Sequence, residues 1–180
     1  MQRRQFLLSS VAALRGLAQN QPVPVSAGFI GTGNRGMYLM RAFMAQPGVR
    51  VAALCDIKPD RLDKAATAAA EHQPKTYTDY RALLEQPDLD AVFIATPCDL
   101  HAEMAIAALA AGKHVYLEKP VGITPEQVRQ LLEAARNART VLQVGQQLRS
   151  DERLRATIAR IHEGVAGEVV RVKAQRHASD

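Results

Sequence analysis

Three glycines, Gly31, Gly33 and Gly36, follow an apolar run near the start of the chain and spell the pattern GxGxxG. The first glycine allows a tight turn between a strand and a helix, and the second lets backbone N–H groups approach phosphates. The third lets the new helix pack closely on its strand, because no side chain intervenes. The pattern therefore constrains this stretch to a strand, a tight turn and a helix that together can hold a dinucleotide pyrophosphate.

The surroundings of the glycines support this interpretation, which a lone GxGxxG match would not carry. A β-type run, residues 23–30, precedes the turn, and a helical run, residues 35–45, follows it with apolar residues at helical spacing. The residues of the turn are therefore predicted to bind a cofactor, and they are Gly31, Thr32, Gly33, Asn34, Arg35 and Gly36.

Asp56 follows a second apolar run, residues 49–54, and lies twenty residues after Gly36. A carboxylate at this spacing accepts hydrogen bonds from the hydroxyls of the adenosine ribose. The alternative is that Asp56 caps the helix that starts near Pro59. A free 2′-hydroxyl suits a carboxylate and a 2′-phosphate does not, so NAD is preferred. Lys58 and Arg61 lie close enough to keep NADP as an alternative, and Arg61 is a further candidate cofactor contact.

The remaining chain alternates between short apolar runs and helical patterns. We predict strands at 75–78, 91–95, 114–117 and 140–144, and helices at 59–71, 80–84, 99–111 and 124–138. Asp79, Asp99 and Thr124 are predicted as helix caps, and Gly112 as a helix end. Six strands that alternate with helices predict an α/β fold, a doubly wound parallel sheet with strand order 3-2-1-4-5-6.

Polar residues recur where these strands end, and ligands of such sheets bind beyond the carboxyl ends of the strands. They are Asp56, Thr96, His101 shortly after, Glu118 and Lys119. Scattered surface residues would not coincide with strand ends so regularly. This clustering predicts a binding site at that edge of the sheet.

Charge and composition exclude several classes of protein. The formal net charge is +5, but Arg3, Arg4 and Arg15 in the N-terminal segment supply three of those charges. No basic cluster interleaved with aromatic residues follows, so a nucleic-acid partner is not expected. Cys55 and Cys98 have no spacing typical of a metal or redox site, and no metal is expected.

The first twenty residues begin with Arg3-Arg4-Gln5-Phe6-Leu7 and resemble a twin-arginine export signal. That interpretation predicts a periplasmic protein with no membrane attachment after export. Arg15 interrupts the apolar segment, so a disordered basic tail or an amphipathic first helix of a cytoplasmic protein is the alternative. No apolar run of eighteen residues occurs, so no spanning helix is predicted elsewhere.

Three motifs in order, IGTGNRG, ATPxxxH at residues 95–101 and AGKHVYLEKP, resemble the Gfo/Idh/MocA oxidoreductases, named for glucose-fructose oxidoreductase and inositol dehydrogenase. The resemblance implies a Rossmann NAD(P)-binding domain over residues 23–149. It implies that Lys119 of the EKP motif is catalytic, near the substrate hydroxyl and the nicotinamide, and that the Lys119-Pro120 bond is cis. It also places Thr96, Pro97, His101 and Glu118 on the cofactor side of the cleft, although His101 is almost as plausible in a packing role.

Members of this family carry a second α/β domain that supplies substrate contacts, and this chain stops too early to contain it. Residues 150–164 are predicted to form the linking helix, and residues 168–175, EVVRVKAQ, alternate like the first strand of the missing sheet. We therefore expect residues 150–180 to be the start of a truncated substrate domain. Relatives usually associate through that sheet, so the sequence leaves the oligomeric state open, with a homo-oligomer as one alternative.

Three functions remain open on the sequence alone. The first is the cofactor-binding half of an NAD(P)-dependent oxidoreductase that acts on a small-molecule sugar or polyol, and this half is expected to be inactive alone if the chain is truncated. The second is a glycosidase that oxidises a glycoside transiently with tightly held NAD, eliminates the aglycone and completes a net hydrolysis. The third is a non-catalytic NAD-binding module.

Overall fold

A computed structural model describes residues 24–175, and the division between its two compact units falls after Val144. The predicted export signal lies outside the described residues. Nothing in residues 24–175 forms a helix with the length and apolar character needed to cross a bilayer.

The first unit is built on six parallel strands in the order β3-β2-β1-β4-β5-β6, which confirms the doubly wound sheet predicted from the sequence. The strands begin close to the predicted positions and are shorter at several ends, because only paired residues count as strand. Their bounds are β1 Val25–Ile30, β2 Val49–Cys55, β3 Lys75–Tyr77, β4 Ala91–Ile94, β5 His114–Leu117 and β6 Leu142–Val144.

Five α-helices connect these strands, and short 3₁₀ turns flank two of them. The helix predicted at 59–71 ends three residues early and continues as a 3₁₀ turn, Ala70–His72. The helices are α1 Asn34–Met44, α2 Pro59–Ala68, α3 Tyr80–Leu84, α4 His101–Ala110 and α5 Pro125–Asn137.

Two of the three predicted helix caps are confirmed. The Asp79 carboxylate accepts a hydrogen bond from the Arg81 N–H at 2.9 Å, and the Thr124 hydroxyl accepts one from the Gln127 N–H at 3.2 Å. The prediction for Asp99 is wrong. A 3₁₀ turn, Cys98–Leu100, precedes α4 and places Asp99 inside the turn, so α4 begins without a side-chain cap.

The sheet carries an apolar core on each face, as a doubly wound fold requires. On one face α3, α4 and α5 supply buried residues such as Leu83, Ala105 and Leu131. On the other face α1 and α2 supply Met40 and Leu62, among others. The central strands are covered on both sides, which explains their continuous apolar sequences.

Within residues 145–175 the second unit forms one α-helix, α6, Glu152–His162. The Asp151 carboxylate caps its first turn, at 3.0 Å from the Leu154 N–H. Residues 168–175 pair with no strand among residues 24–175, and the strand predicted there stays a prediction because its expected partners belong to the second domain. An extended segment needs a neighbour to satisfy its N–H and C=O groups. Val170 and Val172, which would fill one face of such a sheet, are instead 87% and 82% exposed.

Candidate functional site

The turn between β1 and α1 needs glycine at two positions for steric reasons. Gly31 has a φ of +86°, and a Cβ atom added there would lie 2.7 Å from the Ala95 carbonyl oxygen. A Cβ atom at Gly36 would collide with the Gly31 carbonyl oxygen. The first glycine therefore lets β1 turn beside the end of β4, and the third lets α1 approach the turn closely.

Gly33 differs because its surroundings are open. It is the N-cap residue of α1, and an added Cβ would meet only the flexible Arg61 guanidinium, at 3.3 Å. No side chain caps α1 and no acidic residue lies in its first turn. The unpaired N–H groups of such a helix start favour an anion, and the nearby Arg61 adds positive charge. This turn fits the pyrophosphate of a dinucleotide.

A cleft of about 610 Å³ runs along the carboxyl ends of β1 to β4. Eight of the predicted site residues line it, and they are Gly31, Gly33, Asn34, Arg35, Asp56, Arg61, Thr96 and Pro97. Thr32 instead lines a second cleft, of about 620 Å³, between α1 and α2. The strand order thus brings together residues that are up to 66 positions apart in the chain.

Asp56 is 7% exposed and anchors the glycine turn to the end of β2. Its Oδ2 accepts hydrogen bonds from the Thr32 N–H at 2.8 Å and the Thr32 hydroxyl at 3.1 Å. Its Oδ1 accepts one from the Lys58 N–H at 2.9 Å. Since a carboxylate offers about four acceptor positions, one remains for a further donor such as a ribose hydroxyl. The N-cap of α2 is Lys58, so Asp56 does not cap that helix.

Glu118, at the end of β5, is 5% exposed and pairs with Arg35 of α1. Arg35 Nη2 and Nε lie 2.5 Å and 2.7 Å from Glu118 Oε1. The hydrogen bond to Glu118 raises the pKa of the Arg35 guanidinium, although burial opposes the rise. The other oxygen of Glu118 accepts the Lys119 N–H at 3.3 Å. Two residues predicted as cofactor contacts are therefore also each other's partners.

The Lys119 side chain is exposed and lines neither cleft. The Lys119-Pro120 peptide bond is cis, as the resemblance implied. Lys119 immediately follows the buried Glu118, so its backbone leaves the sheet at the same edge as the glycine turn. Its catalytic role remains a prediction.

His101 is 1% exposed and lines neither cleft. Its Nδ1 lies 2.6 Å from the Pro120 carbonyl oxygen and its Nε2 lies 2.9 Å from the Thr96 carbonyl oxygen. The imidazole thus lies behind the wall of the cleft, between two loops. This geometry is that of a supporting residue, and a contact of His101 with the cofactor stays a prediction.

Sequence reasoning missed three polar residues that line the first cleft, Tyr80, Arg81 and Glu103. Tyr80 and Arg81 both donate hydrogen bonds to Glu103 Oε1, at 2.8 Å and 2.9 Å. Burial, together with the bond to Glu103, raises the pKa of Tyr80 to about 12. The polar run TDYR at 78–81, which directly follows β3, was the available signal, because β3 lies next to β2 in the predicted strand order.

A parallel doubly wound sheet, a glycine turn that opens an uncapped helix, and a carboxylate at the end of the neighbouring strand define a dinucleotide-binding Rossmann domain. A model of a family described as an oxidoreductase family with an NAD-binding Rossmann fold matches residues 25–146. The chain belongs to this family, the Gfo/Idh/MocA oxidoreductases, and its cofactor is NAD.

Individual relatives agree with this assignment. A glycosyl hydrolase family 109 protein of Saccharopolyspora erythraea is 32% identical over 88% of this chain and 36% of its own length. The myo-inositol 2-dehydrogenase of Lactobacillus plantarum superimposes with a TM-score of 0.76 at 28% identity, over 82% of this chain and 43% of that one. A 3-ketoreductase of Actinomadura kijaniata, solved with NADP, superimposes with a TM-score of 0.71 at 32% identity, over 81% of this chain and 46% of that one. The chain thus spans less than half the length of these proteins.

Proposed function

We propose that this chain is the cofactor-binding part of an oxidoreductase that transfers hydride between a hydroxyl of a sugar or polyol and a nicotinamide. The observation that supports it most is the link between the glycine turn and the EKP motif, in which Arg35 of α1 pairs with Glu118, the neighbour of Lys119. The names of two similar structures, an inositol dehydrogenase and a 3-ketoreductase, favour a polyhydroxylated substrate.

In this proposal each group of residues has one task. The N–H groups at the start of α1 bind the pyrophosphate, and Asp56 Oδ1 accepts a hydrogen bond from the adenosine ribose. NAD, when bound, supplies the acceptor for the hydride that leaves the substrate carbon. Lys119 takes the proton of the substrate hydroxyl, so that loss of hydride and proton together leaves a carbonyl.

The test is a comparison of binding with turnover. The purified chain is titrated with NAD by calorimetry and then assayed for nicotinamide absorbance with a panel of sugars and polyols. We expect Lys119→Ala to abolish the absorbance change and to leave NAD affinity unaltered. The control is Lys75→Ala, because Lys75 is an exposed lysine at the start of β3. Turnover that persists in Lys119→Ala would contradict the proposal. NAD binding without turnover of any member of the panel would favour the non-catalytic module.

A glycosidase is the second candidate, favoured by the name glycosyl hydrolase family 109 that relatives at 31–41% identity carry. In that reaction the hydride removed from the glycoside returns before product release, so no NADH accumulates. Release of a chromogenic aglycone by the NAD-loaded chain, with no net rise in NADH, would favour the glycosidase. A net rise in NADH without release of the aglycone would favour the dehydrogenase. Lys119→Ala should abolish either reaction.

We also propose that residues 1–20 direct export to the periplasm, which the paired arginines and the following Phe6 and Leu7 support. Replacement of Arg3 and Arg4 by lysine should retain the protein in the cytoplasmic fraction of a bacterial host with a twin-arginine pathway. A periplasmic fraction unchanged by that replacement would contradict the proposal.

A further inference from the structure

His101 occupies a place that neither cofactor binding nor simple core packing explains. It is the first residue of α4, it is 1% exposed, and both of its ring nitrogens lie within hydrogen-bond distance of backbone carbonyl oxygens. One carbonyl belongs to Thr96, just after β4, and the other to Pro120, just after Lys119. The ring therefore connects the loops that follow two neighbouring strands.

Both ring nitrogens of His101 face hydrogen-bond acceptors. Carbonyl oxygens only accept hydrogen bonds, so the imidazole can form a hydrogen bond in either contact only as the donor. A neutral ring donates to one carbonyl and a protonated ring donates to both. In either state, removal of the ring nitrogens leaves two peptide carbonyls beside an apolar side chain, and such groups move to find other donors.

The segment that contains Lys119 is held on both sides. Before it, Glu118 is buried and paired with Arg35, and after it, the Pro120 carbonyl faces His101 Nδ1. Lys119 itself is exposed, so its direction depends on the backbone that carries it. A displacement of a reacting group by about 1 Å can cost a hundredfold in rate.

We propose that His101 is a positioning residue, which fixes the Pro120 peptide and thereby the direction of Lys119 toward the substrate hydroxyl. This inference rests on the proposed function of Lys119. It assigns His101 no contact with the cofactor, since the ring lines neither cleft.

Three substitutions separate the two contacts. His101→Phe keeps the ring shape and loses both donors. The side-chain amide nitrogen of His101→Asn lies near the former Nδ1 and keeps a donor toward Pro120, whereas that of His101→Gln lies near the former Nε2 and keeps one toward Thr96. His114→Phe is the matched control, because it removes an imidazole whose Nδ1 accepts the Val141 N–H at 3.2 Å at the opposite end of β5.

Two readouts are measured on each variant. The first is steady-state kcat, KM and NAD affinity, and the second is amide hydrogen exchange of the peptide that covers residues 117–123. We expect His101→Phe to lower kcat about tenfold to a hundredfold, to leave NAD affinity within about threefold, and to speed exchange in that peptide. His101→Asn should recover much of the lost kcat, and His101→Gln should recover less. His114→Phe should behave like the wild type.

If His101→Phe has the same kcat and the same exchange rate in residues 117–123 as the wild type, the inference is overturned. A large loss of NAD affinity with kcat retained would also overturn it and would make His101 a direct cofactor contact. If the wild-type chain alone turns over no substrate, the exchange readout still decides the role of His101. In that case, faster exchange in His101→Phe that returns to the wild-type rate in His101→Asn supports the contact between His101 and the Pro120 carbonyl. Unchanged exchange in His101→Phe refutes it.

Discussion

Arg35 and Glu118, which are 83 positions apart in the chain, form an ion pair that joins the first turn of α1 to the end of β5. Glu118 is almost fully buried, whereas the Arg35 side chain retains 36% of its exposure. The pair therefore connects the helix proposed to bind the pyrophosphate with the segment that carries Lys119. A change at one end of this pair is expected to affect the other.

Loss of Arg35 should destabilise the fold, because it leaves a buried carboxylate without its partner. Breaking a buried pair costs about 3–5 kcal/mol, and the partial exposure of Arg35 reduces this to about 1–2 kcal/mol for Arg35→Met. Urea unfolding measures the change. Glu118→Gln in the same chain should remove most of the additional cost in a double-mutant cycle.

The control for this prediction is the surface pair of Lys64 and Asp60, whose charged atoms lie 3.9 Å apart and whose side chains are both largely exposed. Lys64→Met should change the free energy of unfolding by no more than about 0.5 kcal/mol. Equal costs for Arg35→Met and Lys64→Met would contradict the account of the buried pair.

The glycines of the turn should separate folding from binding. Gly36→Ala places a Cβ against the Gly31 carbonyl oxygen, and because backbone must shift, we expect a loss of about 3 kcal/mol in the free energy of unfolding. Gly33→Ala meets only the flexible Arg61 side chain, so the fold should lose about 1 kcal/mol or less. The added methyl group should nonetheless weaken NAD binding at least about tenfold, since it lies where the phosphate approaches. Thermal unfolding and calorimetric titration of both variants check the contrast, which equal stability losses would refute.

Asp56 should determine the preference between the two cofactors. Asp56→Asn keeps an acceptor for Thr32 and removes the negative charge, so the preference for NAD over NADP should narrow by about tenfold. Asp56→Ala should also weaken both cofactors, because the Thr32 N–H and hydroxyl lose their acceptor. Dissociation constants for both cofactors are compared with those of Asp60→Asn, an exposed carboxylate in the first turn of α2. An unchanged preference in Asp56→Asn would refute the ribose assignment.

The two cysteines should differ in reactivity. Burial, followed by the charges of Asp56 and Asp79, raises the pKa of Cys55 from 9.0 to about 12. Because the thiolate is the nucleophile, iodoacetamide at pH 8 should modify the half-buried Cys98 well before Cys55, and both should react in urea. The raised pKa also means that the contribution of Cys55 to stability is complete below pH 9 and declines as the pH rises toward 12. Rapid modification of Cys55 in the folded protein, followed by mass spectrometry, would contradict this.

Much of the architecture could be predicted because it depends on local patterns. The alternation of apolar runs and helical spacing was sufficient for the strand order, and Thr124 before a first-turn proline was sufficient for a helix cap. The cap prediction for Asp99 was wrong because aspartate also occurs in 3₁₀ turns. Whether Asp99 caps a helix or lies in such a turn depends on the backbone after Pro97. The strand predicted at 168–175 stays a prediction, because strand formation needs a partner, which a pattern of alternating residues does not provide.

The site was predictable by residue type and less so by contact. That Glu118 and Arg35 belong near a cofactor followed from their motifs, but that they bind each other depends on the geometry of two loops far apart in the chain. The role of His101 has the same origin, since its partners are backbone carbonyls that no side-chain pattern marks.

The central claim is that a nicotinamide dinucleotide binds with its pyrophosphate at the start of α1. Its most direct test is a calorimetric titration of the folded chain with NAD, beside the Gly33→Ala variant under the same conditions. The account predicts saturable binding with at least micromolar affinity for the wild type and a loss of about tenfold or more for Gly33→Ala. Absence of heat with both NAD and NADP, or equal affinity in the variant, would contradict it.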